Sequence, residues 1–196
     1  MDSARLQSSS SLIFFDTKRE CFVNALTNAR LKGVPRVAKE MYYPNYQFVR
    51  AGGAGQRGGL KRGSRVDKQI TRWANGRSVD TSSFHPYFHK IVRALKVAEL
   101  QPLRAQVGVV DADLGLGTAV DLVCRLPGGR LVLCEIKCGF ENYGRGSGKM
   151  RREFSDVSNA PRHQHQIQML LAQYLFRKTF GPIAVDSVVV RASREG

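Results

Sequence analysis

The stretch GTAVDLVCRLPGGRLVLCEIKCG, Gly117 to Gly139, decides the fold. It reads as two short strands, Ala119 to Leu126 and Arg130 to Cys138, joined by Pro127-Gly128-Gly129, residues that fix or free φ as a tight reversal requires. The strands are expected to pair antiparallel. Side chains alternate across a strand, so Cys124, Val132, Cys134, Ile136 and Cys138 are directed into packing, while Glu135 and Lys137 emerge together on the opposite side, where Asp121 meets them. Two carboxylates converging with an ammonium on an otherwise apolar hairpin are costly to desolvate unless paired or bound to a cation. Such a group suits a hard metal ion; a solvated hairpin carrying a salt bridge between Glu135 and a lysine is the alternative.

Asp121, thirteen intervening residues and then Glu135-Ile136-Lys137 resemble the D…(D/E)xK signature of the PD-(D/E)xK nuclease superfamily. GTAVD followed by EIKCG is most similar to its RecB and lambda-exonuclease branch, with Val120 where a proline is usual. The resemblance runs from about Leu100 to Phe176, with a weaker match at Gly63 to Asp67. It implies an α/β fold, a mixed central sheet flanked by helices around a restriction-endonuclease-like core. It also implies a divalent-metal-dependent deoxyribonuclease of the exonuclease type. Asp121, Glu135 and the Ile136 carbonyl would hold Mg²⁺ or Mn²⁺, Lys137 would orient the attacking water, and the products would carry 3′-hydroxyl and 5′-phosphate ends. Gln168 matches a glutamine that supports the active site in that branch, although the tyrosine usual four residues later is Ala172. Gly63-Ser64-Arg65-Val66-Asp67 resembles a Gly-x-x-Val-His pattern, with Asp67 as third acid in place of the histidine; Glu40 and Glu99 are its rivals. A structure-specific or restriction-like endonuclease, such as a junction resolvase, and a non-catalytic nucleic-acid-binding module remain alternative functions.

Composition points the same way from a separate direction. A chain of 196 residues with 42% hydrophobic content suits one domain, expected over 16–196 behind a disordered serine-rich lead at 1–15. Lys and Arg number 31 against 16 Asp and Glu, a formal charge of +15 in the range expected for a polyanion partner, DNA above all. No apolar run approaches a membrane span and no lysine-rich amphipathic helix is visible, so no membrane partner is expected. The four cysteines, Cys21, Cys124, Cys134 and Cys138, lie too unevenly for a disulfide framework, which suggests a reducing intracellular compartment. Cys134 and Cys138 face the core and lack a second close pair, so zinc is not expected. No cysteine follows Cys138, so neither is the iron–sulfur cluster of some RecB-like nucleases.

Two glycine-rich basic segments flank the acids. Arg50 to Arg65 holds six glycines and five basic residues and is read as a mobile loop in which Arg57, Lys61, Arg62 and Arg65 contact phosphates; a solvated linker is the alternative. Gly139 to Arg152 offers Arg145, Lys149, Arg151 and Arg152 to the same backbone. Periodicity predicts helices over Asp16 to Leu31, Ser64 to Ala74, Phe84 to Leu100 and Ser158 to Phe180, with strands at Gln106 to Val110 and Val185 to Val190. His85 and His89 stand at i, i+4 but with Pro86 between them, and are read as packing or capping residues. The aromatics from Met41 to Phe48 either pack or stack on bases.

Overall fold

The computed structural model describes residues 6, 13–16, 18, 21–43, 54–76, 80–139, 143–146 and 148–193, with 54–58 and 60 described by backbone alone. Among them the chain forms β1 (Ile13–Asp16), β2 (Cys21–Asn24), β3 (Arg30–Gly33), α1 (Val34–Tyr42), α2 (Ala54–Ala74), α3 (Pro86–Val97), β4 (Gln101–Asp111), β5 (Leu116–Arg125), β6 (Leu131–Cys138), α4 (Pro161–Phe180) and β7 (Val185–Ala192). The strands make one mixed seven-stranded sheet in the order β1-β2-β3-β5-β6-β7, with β4 paired to β5, so the fold is α/β.

The expected hairpin is its centre. β5 and β6 pair antiparallel from Arg125↔Leu131 to Leu122↔Cys134, closed by a turn in which Gly129, at φ 82, donates its N–H to the Leu126 carbonyl. β7 returns parallel to β6 along its whole length, a crossover made by α4. Pro161 occupies the first turn of α4, where its missing N–H costs nothing, and Gly181 at φ 92 ends it.

Two apolar cores lie on opposite faces of the sheet. Against α4 pack Val107 and Val109 of β4, Val120 and Val123 of β5, and Leu131 and Leu133 of β6, with Met169, Leu175 and Phe176 supplied by the helix. Against α2 and α3 pack Ala105, Leu122, Cys124, Val132, Cys134, Val190 and Ala192, with Val66, Ile70, Phe88, Ile91 and Leu95 from the helices. His85 caps α3 through Nδ1, which accepts the Tyr87 N–H, and Gln69 Oε1 accepts the His85 N–H, tying α2 to α3. Packing and capping therefore account for His85.

Three expectations are corrected. The helix predicted over Asp16 to Leu31 is a hairpin, β2 and β3 pairing antiparallel beside β1. Its apolar residues at 22, 23, 26 and 29 satisfied a helical period, but Asn24 turns the chain: its side chain accepts the N–H groups of Leu26 and Thr27, leaving Leu26 at the tip, 82% exposed. The lead expected at 1–15 contains strand from Ile13 and a fully buried Leu6, and the rest of it lies outside the described residues. The glycine-rich stretch expected to be a loop is helix from Ala54 onward, so that Ser64 lies inside α2 instead of at its start, while 50–53 lie outside the described residues. Glycine weakens a helix, but burying Val66 and Ile70 against the sheet outweighs that local preference.

Candidate active site

The site is built where the hairpin forks. Below Leu122↔Cys134 the β5–β6 ladder ends, and Asp121 Oδ2 reaches across the opening to accept the Ile136 N–H at 2.8 Å. The start of β5 pairs instead with β3, Lys32↔Leu116 and Gly33↔Gly117, so the fork lies between two strands that both use β5 as partner. On the other side of β5, Ala105 is opposite Leu122 and Val107 opposite Val120. Gln106, between them and across from Asp121, has φ 55, a left-handed conformation rare for a non-glycine residue. The two strands change faces there. Leu122 and Ala105 belong to the core under α2 and α3, whereas Val120 and Val107 belong to the core under α4, although each pair is two residues apart on its strand. Asp121 sits at this change of face, within reach of side chains from both helical layers.

A cleft of about 260 Å³ opens there, lined by Asp121, Glu135, Asp67, Gln106, Gln168 and Thr118 among others. Lys137 Nζ donates to Glu135 Oε1, and both side chains are largely covered. Asp67, from α2, accepts the Gln106 Nε2–H at 2.8 Å, so the residue with the unusual φ also anchors this acid. Gln168, from α4, donates to the Tyr43 hydroxyl at 3.4 Å, and that hydroxyl donates to the Gln164 carbonyl. Burial, together with the charge of Glu135, pushes the Asp121 carboxyl up to about 7, against the pull of Lys137 and the Ile136 N–H. Burial also raises Asp67, opposed by its bond to Gln106.

Behind Lys137 lies a group that nothing in the residue pattern announced. Lys137 is in register with Arg191 of β7, the Arg191 guanidinium lies 5.5 Å from the centre of the Tyr143 ring, and the Tyr143 hydroxyl bonds His165 Nδ1 at 3.0 Å. Burial and the nearby Lys137 ammonium push His165 down to about 3, so it is neutral at ordinary pH. Gln106, Tyr143, His165 and Arg191 were missed as site residues by sequence reasoning, and Tyr43 was read only among the aromatics that pack or stack. Lone residues on separate elements carry no spacing signal, and only the sheet register assembles them.

The rivals of Asp67 lie elsewhere. Glu40 is on α1, bonded to Arg36 at 2.7 Å, and Glu99 is an exposed residue just past α3. Among the described residues no group of three or more His, Cys, Asp or Glu encloses a cation by itself. The donor set nevertheless suits a small hard ion, since Mg²⁺ is held by one or two carboxylates and completes its shell with water and substrate phosphate. Asp121 and Glu135 would supply those two, and burial followed by the Glu135 charge is what raises Asp121. Cys134 lies 3.7 Å from Cys124, sulfur to sulfur, in the core under α2 and α3, and Cys138 packs against that core.

The expected phosphate contacts divide. Lys61 and Arg65 are exposed on α2, whereas Arg62 is half-buried, its guanidinium 5.4 Å from the centre of the Tyr87 ring, and Arg57 has its side chain outside the described residues. Arg62 is thus held in packing between α2 and α3. Arg145, Arg151 and Arg152 are exposed, and Lys149 Nζ donates to the Asp156 carbonyl at 2.9 Å. The 139–152 segment has more built structure than a wrapping loop: Lys149 bridges to Ser158, and Gly146 lies so close to Asn159 that a Cβ would be 2.3 Å from its carbonyl oxygen. Residues 140–142 and 147 of it lie outside the described residues.

No family model matches the chain, and no curated protein or solved structure matches it either. No helix among the described residues is long and apolar enough to cross a membrane.

Proposed function

We propose that this chain is a divalent-metal-dependent deoxyribonuclease of PD-(D/E)xK type, with a restriction-endonuclease-like core and exonuclease action. One observation supports this above the others: Asp121 and Glu135 line one cleft at a fork in the sheet together with Asp67 and Gln168, and Lys137 is bonded to Glu135 beside it. Asp121 and Glu135, with the Ile136 carbonyl beside them, would hold Mg²⁺ or Mn²⁺. When bound, the ion supplies Lewis-acid stabilisation of the phosphate and a more acidic water. Lys137, held against Glu135, orients the water and offsets charge developing on the phosphoryl oxygens. Water oxygen bonds to phosphorus, the bond to the 3′ oxygen breaks, and the proton lost by water is balanced by one gained at that oxygen. The ends left are a 3′-hydroxyl and a 5′-phosphate.

The test is a digestion panel of end-labelled linear, nicked and closed circular DNA in Mg²⁺, Mn²⁺ or EDTA. Metal-dependent loss of linear and nicked DNA with circles spared is expected, and Asp121→Asn, Glu135→Gln and Lys137→Ala each abolish it while the fold is kept. Cutting of closed circles moves the assignment to an endonuclease. Equal digestion in EDTA, or near-normal cleavage by the three variants, overturns the metal mechanism.

A further inference from the structure

The helix that replaced the expected loop carries a second feature, on the side away from the acids. Lys61, Arg65, Lys68 and Arg72 of α2 are all exposed. At about 3.6 residues per turn they fall within about 60° of helix surface and rise about 16 Å along the axis. Val66 and Ile70, buried against the sheet, occupy the opposite side of the helix. Asp67 projects about 130° from the middle of the basic stripe, so this surface is not a wall of the acid cleft. The four cations and Ser83 and Phe84, from the segment before α3, line a groove of about 670 Å³. None of the four forms a salt bridge among the described residues. The field of one of them reaches a neighbour: after burial, Arg65, together with Arg62 outside the stripe, pushes His85 down.

We infer that this groove binds one phosphodiester backbone of a nucleic acid, laid along α2 by Lys61, Arg65, Lys68 and Arg72. Every linkage of a strand carries one negative charge, so a row of four cations about 16 Å long can face a run of successive phosphates. Phe84, half-buried against Phe88, lines the same groove, where a base can stack on the part of its ring left open. An anionic membrane is the poorer fit, because a helix that lies on lipid needs an apolar face free to insert, and that of α2 is spent on the core. The inference rests on the nucleic-acid partner proposed above and not on cleavage.

The 196-residue chain is titrated in EDTA against a fluorescent 20-mer, single-stranded or duplex, at salt concentrations from about 50 to 200 mM. Lys68→Ala/Arg72→Ala is expected to weaken binding and to reduce the slope of log K on log salt by about 1.4 for a single strand or about 1.8 for a duplex. Lys61→Ala/Arg65→Ala is expected to do the same, and all four exposed truncations to leave the circular dichroism spectrum and melting temperature unchanged. Whichever DNA form shows the drop in slope supplies the backbone. An unchanged slope in both double variants overturns the inference. So does equal binding to phosphatidylserine vesicles, or to polyglutamate, with the same loss in the variants, because the surface is then a general anion site. A wild type that binds with the expected slope but cuts nothing in Mg²⁺ supports the groove and sinks the cleavage reading.

Discussion

Asp121 shows how a single carboxyl feels the whole fork. It sits between β5 and β6 on the wall of the cleft, bonded to the Ile136 N–H, and is pushed up to about 7 by burial and by Glu135. A carboxyl raised in the folded state contributes stability that is fully present below the unfolded value of about 4 and is lost as pH rises through the folded one. In EDTA the melting temperature of the wild type, compared with that of Asp121→Asn, should therefore fall between about pH 4 and 7. Mg²⁺ should recover the loss most strongly above that window, where the carboxylate is charged and uncompensated. A difference between the two proteins that is flat with pH, or rises, means Asp121 does not carry this strain. Asp67 is raised by burial in the same direction, with the Gln106 hydrogen bond opposing it as the Ile136 N–H does for Asp121.

At the scale of the element, α2 is held by tertiary contact against its own composition. Gly63 lies in its interior with ordinary helical backbone, and a Cβ placed there would meet nothing within 4 Å. Gly63→Ala should then stabilise the protein by about 0.5–1 kcal/mol, through the unfolded chain's lost freedom, read as a shift in the denaturant midpoint at constant slope. A loss of stability would mean that α2 needs the bare backbone at this turn. The contrast is Gly146, whose missing side chain is what lets the segment after β6 press on the start of α4. Two glycine-rich segments of similar composition thus do different things, one tolerating its glycines and the other depending on at least one.

Over the whole molecule the two cores share β5 and β6 as their common wall, so damage on one face is transmitted to the site. Leu133 is fully buried under α4, two residues before Glu135 on the same side of β6. Leu133→Ala should cost about 2–5 kcal/mol, measured by chemical denaturation, and should reduce cleavage by loosening the strand that presents Glu135 and Lys137. A cost below about 1 kcal/mol would mean the sheet relaxes around the cavity. Much of this architecture was legible beforehand. The hairpin, its turn, the separation of Asp121 from Glu135-Ile136-Lys137 and the ends of α4 follow from rules that act over a few residues: alternation, glycine and proline φ, and capping. Interactions between segments distant in sequence decided the rest. Asn24 could make a turn only where β1 and β3 were present to pair; α2 extended through its glycines because Val66 and Ile70 found a sheet to cover; and Gln106 met Asp121 through the β4–β5 register, which changes face at both residues. The sequence by itself determined which residues are chemically able to form the site. The tertiary structure decided which of them meet, because burial and sheet register are properties of the assembled chain that no local window contains.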